Sequence, residues 1–466
     1  MFSANIYSER RNNLKSHFTN GLLIFTGNTE LPMNYPQNAY HFRQDSTFLY
    51  FFGLDEPGLA AIIDIDNNKE IIFGDDVDIE DIIWTGPLPL LAEKIKQTGI
   101  TVSAPYTDYA KYILEAKKQN RSLHFLPPYN PNTKIFLSQV LGIATEKLKE
   151  NASMELIQAV IKLRSLKNPE EIDAIEKGME TAYEMFTKAM KMVKPGIYEY
   201  EVAGQMEGIA RAKNGALSFP TILSVRGEIL HGHDHSNQMK EGDLLLIDAG
   251  FETPDHYATD HTRTVPVSGT FTQKQKEIYQ IVLNAQLAAI AAIKPGIKYQ
   301  EVHLLACKVI ADGLKKLGLM QGDTSEAVKQ GAHAFFLPHG LGHMMGLDVH
   351  DMEDIGQIFV GYDDEVRPID QFGTAYLRLG RRLQPGFVLT VEPGIYFIPE
   401  LFKLWKSENK FTEFINYDKV EKYLDFGGIR IEDDVLVTEN GNRVLGRPIP
   451  KDISDIEDLM KGNSLV

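Results

Sequence analysis

The sequence runs to 466 residues, 43% hydrophobic and 24% charged, which is too long for one ordinary core and balanced enough to fold without disulfides. Its 64 acidic and 48 basic residues leave a formal charge of -16, which repels phosphate backbones and anionic lipid, so neither nucleic acid nor a membrane surface is an expected partner. No stretch approaches the roughly 18 uninterrupted apolar residues of a membrane span, and MFSANIYSERRNNL lacks the apolar run of a secretory signal, so the cytoplasm is the expected compartment.

Between Gly21 and Phe73 the short apolar runs LLIF, FLYFFG, LAAIIDID and EIIF alternate with Gly, Asn, Asp and Pro clusters, a pattern of strands and turns. Helix-like stretches follow to about Lys149. The segment RSLKNPEEIDAIEKGMETAYEMFTKAMKMVKPG then carries apolar residues at helical spacing, with Asn168 as N-cap, Pro169 in the first turn and Pro195-Gly196 at the close. A domain boundary is expected here, at 165/166.

Beyond it the chain repeats itself once. KPGIYEYEV (194–202) is matched by KPGIKYQEV (294–302), and MKEGDLLLIDAG, ending at Gly250, is matched by LQPGFVLTVEPG, ending at Gly394. Asp248 and Glu392 align. Two matches in the same order point to duplicated halves, whose equivalent acids would meet across a pseudo-twofold axis. LLLID and VLTVE each end a buried run in a carboxylate, which is costly unless that group is paired or metal-bound. Cys307, the one cysteine, lies among Val302, Leu304, Leu305, Ala306, Val309 and Ile310 and reads as a small buried hydrophobe, with no disulfide available to it within the chain.

Five residues of metal-ligand type fall on ordered elements: Asp248, Asp260, His343, Glu392 and Glu432. Taken singly, each has a plain alternative as a turn cap, an edge residue or an ordinary hydrogen-bonded histidine. As a set, four carboxylates and one imidazole are oxygen-rich, which suits Mn²⁺ and leaves Zn²⁺, Co²⁺ and Fe²⁺ open. Four carboxylates exceed the charge of one divalent ion, so two are expected, with a water activated between them.

The order IDAG, TDHTRT, PHGLGHMMGLDVHD, VEPGIY, GGIRIEDD resembles the pita-bread metallopeptidases, in particular the Xaa-Pro group that includes aminopeptidase P and prolidase. FRQDSTFLYFFGLDEPG is similar to the N-terminal domain those enzymes share. The resemblance implies an α+β chain with an N-terminal creatinase/aminopeptidase P-like α/β domain over 1–165 and a duplicated αβ pita-bread catalytic domain over 166–466. It implies that Asp248 and Glu392 each hold one metal, that Asp260 and Glu432 bridge both, and that His343 completes one shell. Asp248 and Asp260 stand one residue further apart than is usual in the family, to be absorbed by a bulge or a longer turn in FETPDHYAT.

By the same resemblance His231, His339 and His350 orient substrate or relay protons, Glu392 shuttles a proton, and Arg378 grips the terminal carboxylate of a dipeptide. His231 and His350 also contact substrate. His233 and His235 match nothing and read as loop residues. Arg430, two residues before Glu432 on a strand, is expected to support that carboxylate or a neighbouring one from outside the ligand set. The implied activity is cleavage of the bond before proline. The stretch VRPIDQFGTAYLRLGRRLQPG and the long segment between Glu392 and Glu432 favour an Xaa-Pro dipeptidase, while PIPKDISDIEDLM favours an Xaa-Pro aminopeptidase acting on longer peptides with proline second. A pita-bread protein that binds peptides without catalysis is the remote alternative, and the complete ligand set argues against it. The family suggests a homodimer or larger homo-oligomer.

Overall fold

The computed structural model describes residues 2–462, which fold as two compact units: the chain up to Arg164 with Met352–Phe359, and Ser165–Asp351 with the chain from Val360 onward. Among the described residues no helix is long and apolar enough to cross a membrane.

The first unit is built on a sheet of β1 (Leu22–Thr26), β2 (Ala60–Asp64), β3 (Lys69–Phe73), β4 (Ser103–Ala104) and β5 (Leu123–Phe125), in the order β4-β3-β2-β1-β5. β1 runs antiparallel to β2 and parallel to β5. The runs LLIF and AAII are buried throughout, which is why they read as continuous apolar segments rather than alternating ones. Leu22, Ile24, Ile62 and Phe73 pack on Tyr109 and Ile113 of the helix Thr107–Lys118 and on Leu137 of the helix Pro131–Leu141. β4 and β5 fall in the region read from sequence as helical. Strands of two and three residues are too short to leave a period in the sequence.

In the second unit the helix Pro169–Met192 starts where its caps dictate. Asn168 Oδ1 accepts from the Glu171 N–H at 2.8 Å, and Glu171 Oε2 accepts from the Asn168 N–H at 3.1 Å. Its buried residues Ile175, Met179, Ala182, Met185, Phe186 and Ala189 recur at three and four, and fully burying a Met or Phe contributes about 1.5–3 kcal/mol. A helix, the KPG turn and a second helix, Glu199–Ala212, follow one another. The same unit recurs as Gln273–Ala292, KPG and Tyr299–Lys316.

The hydrogen bonds repeat with it. The N–H groups of Gly196 and Glu199 donate to Met239 O (2.9 Å) and Asn237 O (3.1 Å), and those of Gly296 and Tyr299 donate to Leu383 O (2.9 Å) and Arg381 O (3.1 Å). The duplication expected from the sequence is therefore present in the backbone.

Its strands are β6 (Ala216–Leu217), β7 (Ile222–Ser224), β8 (Leu244–Ala249), β9 (Phe251–Glu252), β10 (His261–Pro266), β11 (Val388–Val391), β12 (Gly394–Tyr396), β13 (Gly428–Arg430), β14 (Asp433–Thr438) and β15 (Gly441–Val444). They form the sheets β10-β8-β7 and β11-β14-β15 and the pairs β12-β13 and β6-β9. One bridge, Thr262 to Glu432, joins the strand system of one half to that of the other.

Candidate metal centre

Asp248 is the fifth residue of β8, and Asp260 immediately precedes β10. These strands pair Thr262 with Asp248 and His261 with Ala249, and the register continues unbroken to the Glu252–Ala258 bridge. There is no bulge. The additional residue is held in the turn at 254–256, closed by the Thr253 N–H donating to Tyr257 O at 3.0 Å, with His256 at φ 66°. Side chains alternate along a strand, so Asp248, Thr262 and Asp260 share one face. Gly250 permits the close hairpin: a Cβ there would lie 1.9 Å from Thr259 O.

The second half supplies its ligands by an analogous route. Glu392 follows β11, and the PHGLGH segment lies alongside that strand. The Glu392 N–H donates to Leu341 O at 2.8 Å, and the Thr390 N–H donates to His343 O at 3.0 Å. Gly342 is required for this approach, since a Cβ would meet Thr390 O at 2.1 Å. Glu432 follows β13 and is fixed by its N–H donating to Thr262 O at 3.0 Å.

All ten residues singled out from the sequence line one cleft with a cavity volume of about 530 Å³. Within it, Asp260, His343 and Glu432 are buried and offer ligand atoms that all lie within 4.8 Å of one another. His343 Nδ1–H donates to Met344 O at 3.0 Å, which turns Nε2 towards the acids, 3.4 Å from Asp260 Oδ2 and 3.8 Å from Glu392 Oε1. That is the tautomer a metal-ligating imidazole requires. Asp260 Oδ1 is buried without a hydrogen-bond partner.

Burial and then the neighbouring carboxylates Asp248, Asp434 and Glu392 push the Asp260 carboxyl well above its ordinary range. Glu432 is driven up well above its range by burial and then by Asp260. Glu392 is raised by burial, against the pull of His343 and Arg430. A buried carboxylate cluster whose members repel one another, with an unpartnered oxygen at its centre, fits divalent cations.

Arg430 is fully desolvated and holds Asp248 through Nη2, not the Glu432 two residues along the chain. Its Nη1 donates to Tyr396 Oη at 2.8 Å and its Nε to Thr262 Oγ1 at 3.2 Å. His339 is bonded at both ring nitrogens, Nδ1–H to Gly340 O at 2.7 Å and Nε2 to the Tyr396 hydroxyl at 2.9 Å. Burial, and then Arg430, hold it neutral, with its pKa lowered to about 3. In this state it braces the wall and has no ring nitrogen open to the cleft.

His231 stands at the open side of the cleft, its pKa lowered by partial desolvation of the ring and then by Arg430, and the His350 ring packs edge-on to His343 with centroids 4.3 Å apart. Arg378 is half-buried in the cleft wall. Its neighbours do otherwise: Arg381 bonds Ser165 Oγ at 2.7 Å, and Arg382 pairs with Glu365 on the surface. His233 also lines the cleft, whereas His235 faces Thr221 O at 3.1 Å.

Sequence reasoning missed Thr262, whose hydroxyl donates to Glu432 Oε2 at 2.7 Å, and Tyr396. It also missed Asp434, which accepts the Asp260 N–H at 2.9 Å, and Arg263, which donates to Glu432 O at 2.6 Å. The one available signal was their position beside ligands in TDHTRT, PGIY and IEDD.

Comparison with known proteins agrees with this arrangement. The description of metallopeptidase family M24 matches residues 173–439, and that of the aminopeptidase P N-terminal domain matches residues 7–126. The human Xaa-Pro dipeptidase is 31% identical over 449 residues, covering 95% of this chain and 89% of that protein. The Escherichia coli Xaa-Pro aminopeptidase is 32% identical over 439 residues, covering 91% and 90%. A zinc-substituted E. coli aminopeptidase P in complex with product superposes with a TM-score of 0.81 at 29% identity over 99% of each chain. With an N-terminal domain of the aminopeptidase P type ahead of a pita-bread catalytic unit, the chain belongs to metallopeptidase family M24.

Proposed function

We propose that this protein is a metal-dependent Xaa-Pro exopeptidase that hydrolyses the peptide bond before proline, with Xaa-Pro dipeptides as its main substrates. The observation that carries the reading is the convergence of Asp260, His343 and Glu432 beside Asp248 and Glu392 in a cleft that also presents Arg378. The relatives at 31% and 32% identity are a dipeptidase and an aminopeptidase and favour neither substrate length.

In this reading the five ligands hold two divalent ions, Mn²⁺ first and Zn²⁺, Co²⁺ or Fe²⁺ as alternatives. Bound there, such ions polarise the scissile carbonyl and make water nucleophilic near neutral pH. The chain supplies the rest. Thr262 and the Met344 carbonyl fix Glu432 and His343, and Arg430 fixes Asp248. The side chain of Glu392 is the most open of the four carboxylates, 20% exposed, which places it to take a proton from the attacking water and pass it to the departing proline nitrogen. His231 and His350 donate to the developing oxyanion.

Phe219, Ile222 and Val349 give the pyrrolidine ring an apolar wall. A tertiary amide with no N–H needs no acceptor from the protein at that point. Arg378 pairs with the terminal carboxylate of the dipeptide through its planar fork of donors. A cytoplasmic homo-oligomer completes the proposal.

The test is hydrolysis of Gly-Pro beside a longer Xaa-Pro peptide after loading with Mn²⁺. Cleavage confined to the dipeptide is the expected result. Release of the first residue from the longer peptide makes the enzyme an aminopeptidase. His343→Ala and Glu392→Ala should abolish turnover while the metal-free form still unfolds cooperatively, and near-normal activity in either overturns the assignment.

A further inference from the structure

Away from the cleft carboxylates, His303, Cys307 and His333 meet inside the second unit, exposed by 0%, 0% and 1%. His303 and Cys307 stand four residues apart on the helix Tyr299–Lys316 and therefore share a face. His333 reaches them from the short 3₁₀ turn Ala332–Phe335. One donor atom from each of the three lies within 4.8 Å of the others.

We infer that these three residues form a second metal site, specific for a thiophilic ion of the Zn²⁺ class and distinct from the carboxylate centre. The spacing is the first argument. Cys307 Sγ lies 3.5 Å from His303 Nε2. A tetrahedral ion with bonds of roughly 2.3 Å to sulfur and 2.0–2.1 Å to nitrogen sets its ligand atoms about 3.5 Å apart.

The second argument is a poorly satisfied atom. His333 Nδ1 is buried with no well-formed hydrogen bond: the ring's polar contacts are a long one from Nε2 to Thr374 Oγ1 at 3.4 Å and a weak one to the Val328 backbone. A poorly satisfied imidazole nitrogen in an interior is costly, and a metal ion removes that cost. The third is chemistry. One thiolate and two imidazoles select Zn²⁺ over Mn²⁺, whereas the four carboxylates of the cleft favour the reverse.

Burial keeps His303 and His333 neutral, with pKa values lowered to about 3 and about 4, so protons do not compete for their lone pairs. Burial also pushes the Cys307 thiol up, so the site takes its ion with release of that proton and binds more tightly as pH rises. With all three groups shielded, the ion enters as the unit folds, and the chain supplies three of its four tetrahedral positions.

Cys307 is the only cysteine, so any thiolate-to-metal signal reports this site alone. The protein is unfolded, stripped with a chelator and refolded in excess Co²⁺. An intense near-ultraviolet thiolate-to-cobalt charge-transfer band is expected beside the weak visible bands of the oxygen-rich centre. Cys307→Ala removes the band and one equivalent of bound Co²⁺, and His333→Gln weakens the band. A wild-type protein refolded in excess Co²⁺ with no such band overturns the proposal, as does a band unchanged in His333→Gln.

Discussion

Thr262 Oγ1 donates to Glu432 Oε2 at 2.7 Å across the one bridge that links the strand systems of the two halves. The two residues are 170 positions apart in the chain, and the same hydroxyl accepts from Arg430 Nε at 3.2 Å. One threonine thus orients a proposed bridging carboxylate and joins it to the guanidinium that holds Asp248.

Replacing Thr262 with Val keeps the β-branched shape and removes only the hydroxyl. Partners that orient a ligand typically cost about 10–100-fold in metal affinity when lost, and a drop of that order is expected in a Mn²⁺ titration of the chelated protein. The metal-free form should also melt lower, because Glu432 Oε2 and Arg430 Nε each lose a buried hydrogen-bond partner. An unaltered Mn²⁺ affinity would show that Glu432 is oriented by its backbone alone.

The carboxyl groups of Asp260, Glu392 and Glu432 have folded pKa values above their ordinary ones. For acids raised in this way the stability they contribute is complete below the unfolded value of about 4 and is lost as pH rises through the folded value. The metal-free protein should therefore melt higher at pH 5 than at pH 8, and added Mn²⁺ should raise the melting temperature more at pH 8. Asp260→Asn removes one of the repelling charges. It should raise the melting temperature of the metal-free form at pH 8, by about 2–4 °C for each kcal/mol gained, and abolish the gain from Mn²⁺. Calorimetric scans with chelator and with metal test both halves, and a metal-free variant that melts lower than wild type at pH 8 would contradict the account.

Arg263 is fully buried and ties the catalytic strands to the end of the chain. Nη2 meets Asp433 Oδ1 at 2.6 Å and Ile449 O at 2.9 Å, and Nε donates to Pro450 O at 3.0 Å. Lys451 Nζ shares Asp433 through Oδ2 at 2.6 Å. Burial opposes ionisation of Asp433, yet Arg263 and Lys451 hold its carboxyl well below the usual range. Its contribution is present above the unfolded pKa and lost as pH falls through the folded one. Arg263→Met leaves Asp433 with Lys451 and Gln286 as its partners and leaves the buried carbonyls of Glu432, Ile449 and Pro450 without their donor, and should cost about 1–3 kcal/mol in denaturant unfolding at pH 7. A cost below about 1 kcal/mol would show the network to be dispensable.

The parts of this site that were legible in the sequence are those that local chemistry marks. Asp248 and Glu392 each end an apolar run in a charge, and Asn168 and Pro169 announce a helix start that the capping box realises. What local pattern does not encode is which side chain answers which. Strand spacing puts Arg430 on the face of Glu432 and leaves open whether it holds that carboxylate or a neighbouring one; the fold gives it Asp248, 182 residues away. His339 reads as a proton carrier from its motif, and only the fold reveals that Tyr396 and Gly340 occupy both nitrogens. Cys307 reads as a small hydrophobe on its own helix, because His333 arrives from another element. Residues 352–359 join the first unit from within the second half of the chain, which no linear boundary expresses.

In the proposed function substrate length turns on Arg378. Its side chain is half-buried in the cleft wall beside the proposed ligands, in reach of a bound substrate. A charge-assisted hydrogen bond is worth about 1.5–3 kcal/mol, which converts to roughly 10–100-fold in kcat/KM. Arg378→Ala should lower kcat/KM for Gly-Pro by that factor and leave a peptide extended beyond the proline little changed, because the extended peptide has no carboxylate at that place. Arg378→Lys should recover part of the charge but not the fork, and so fall between. Equal losses on both peptides would instead mean that Arg378 acts on the bond being cut, since a contact common to both substrates cannot read where the chain ends.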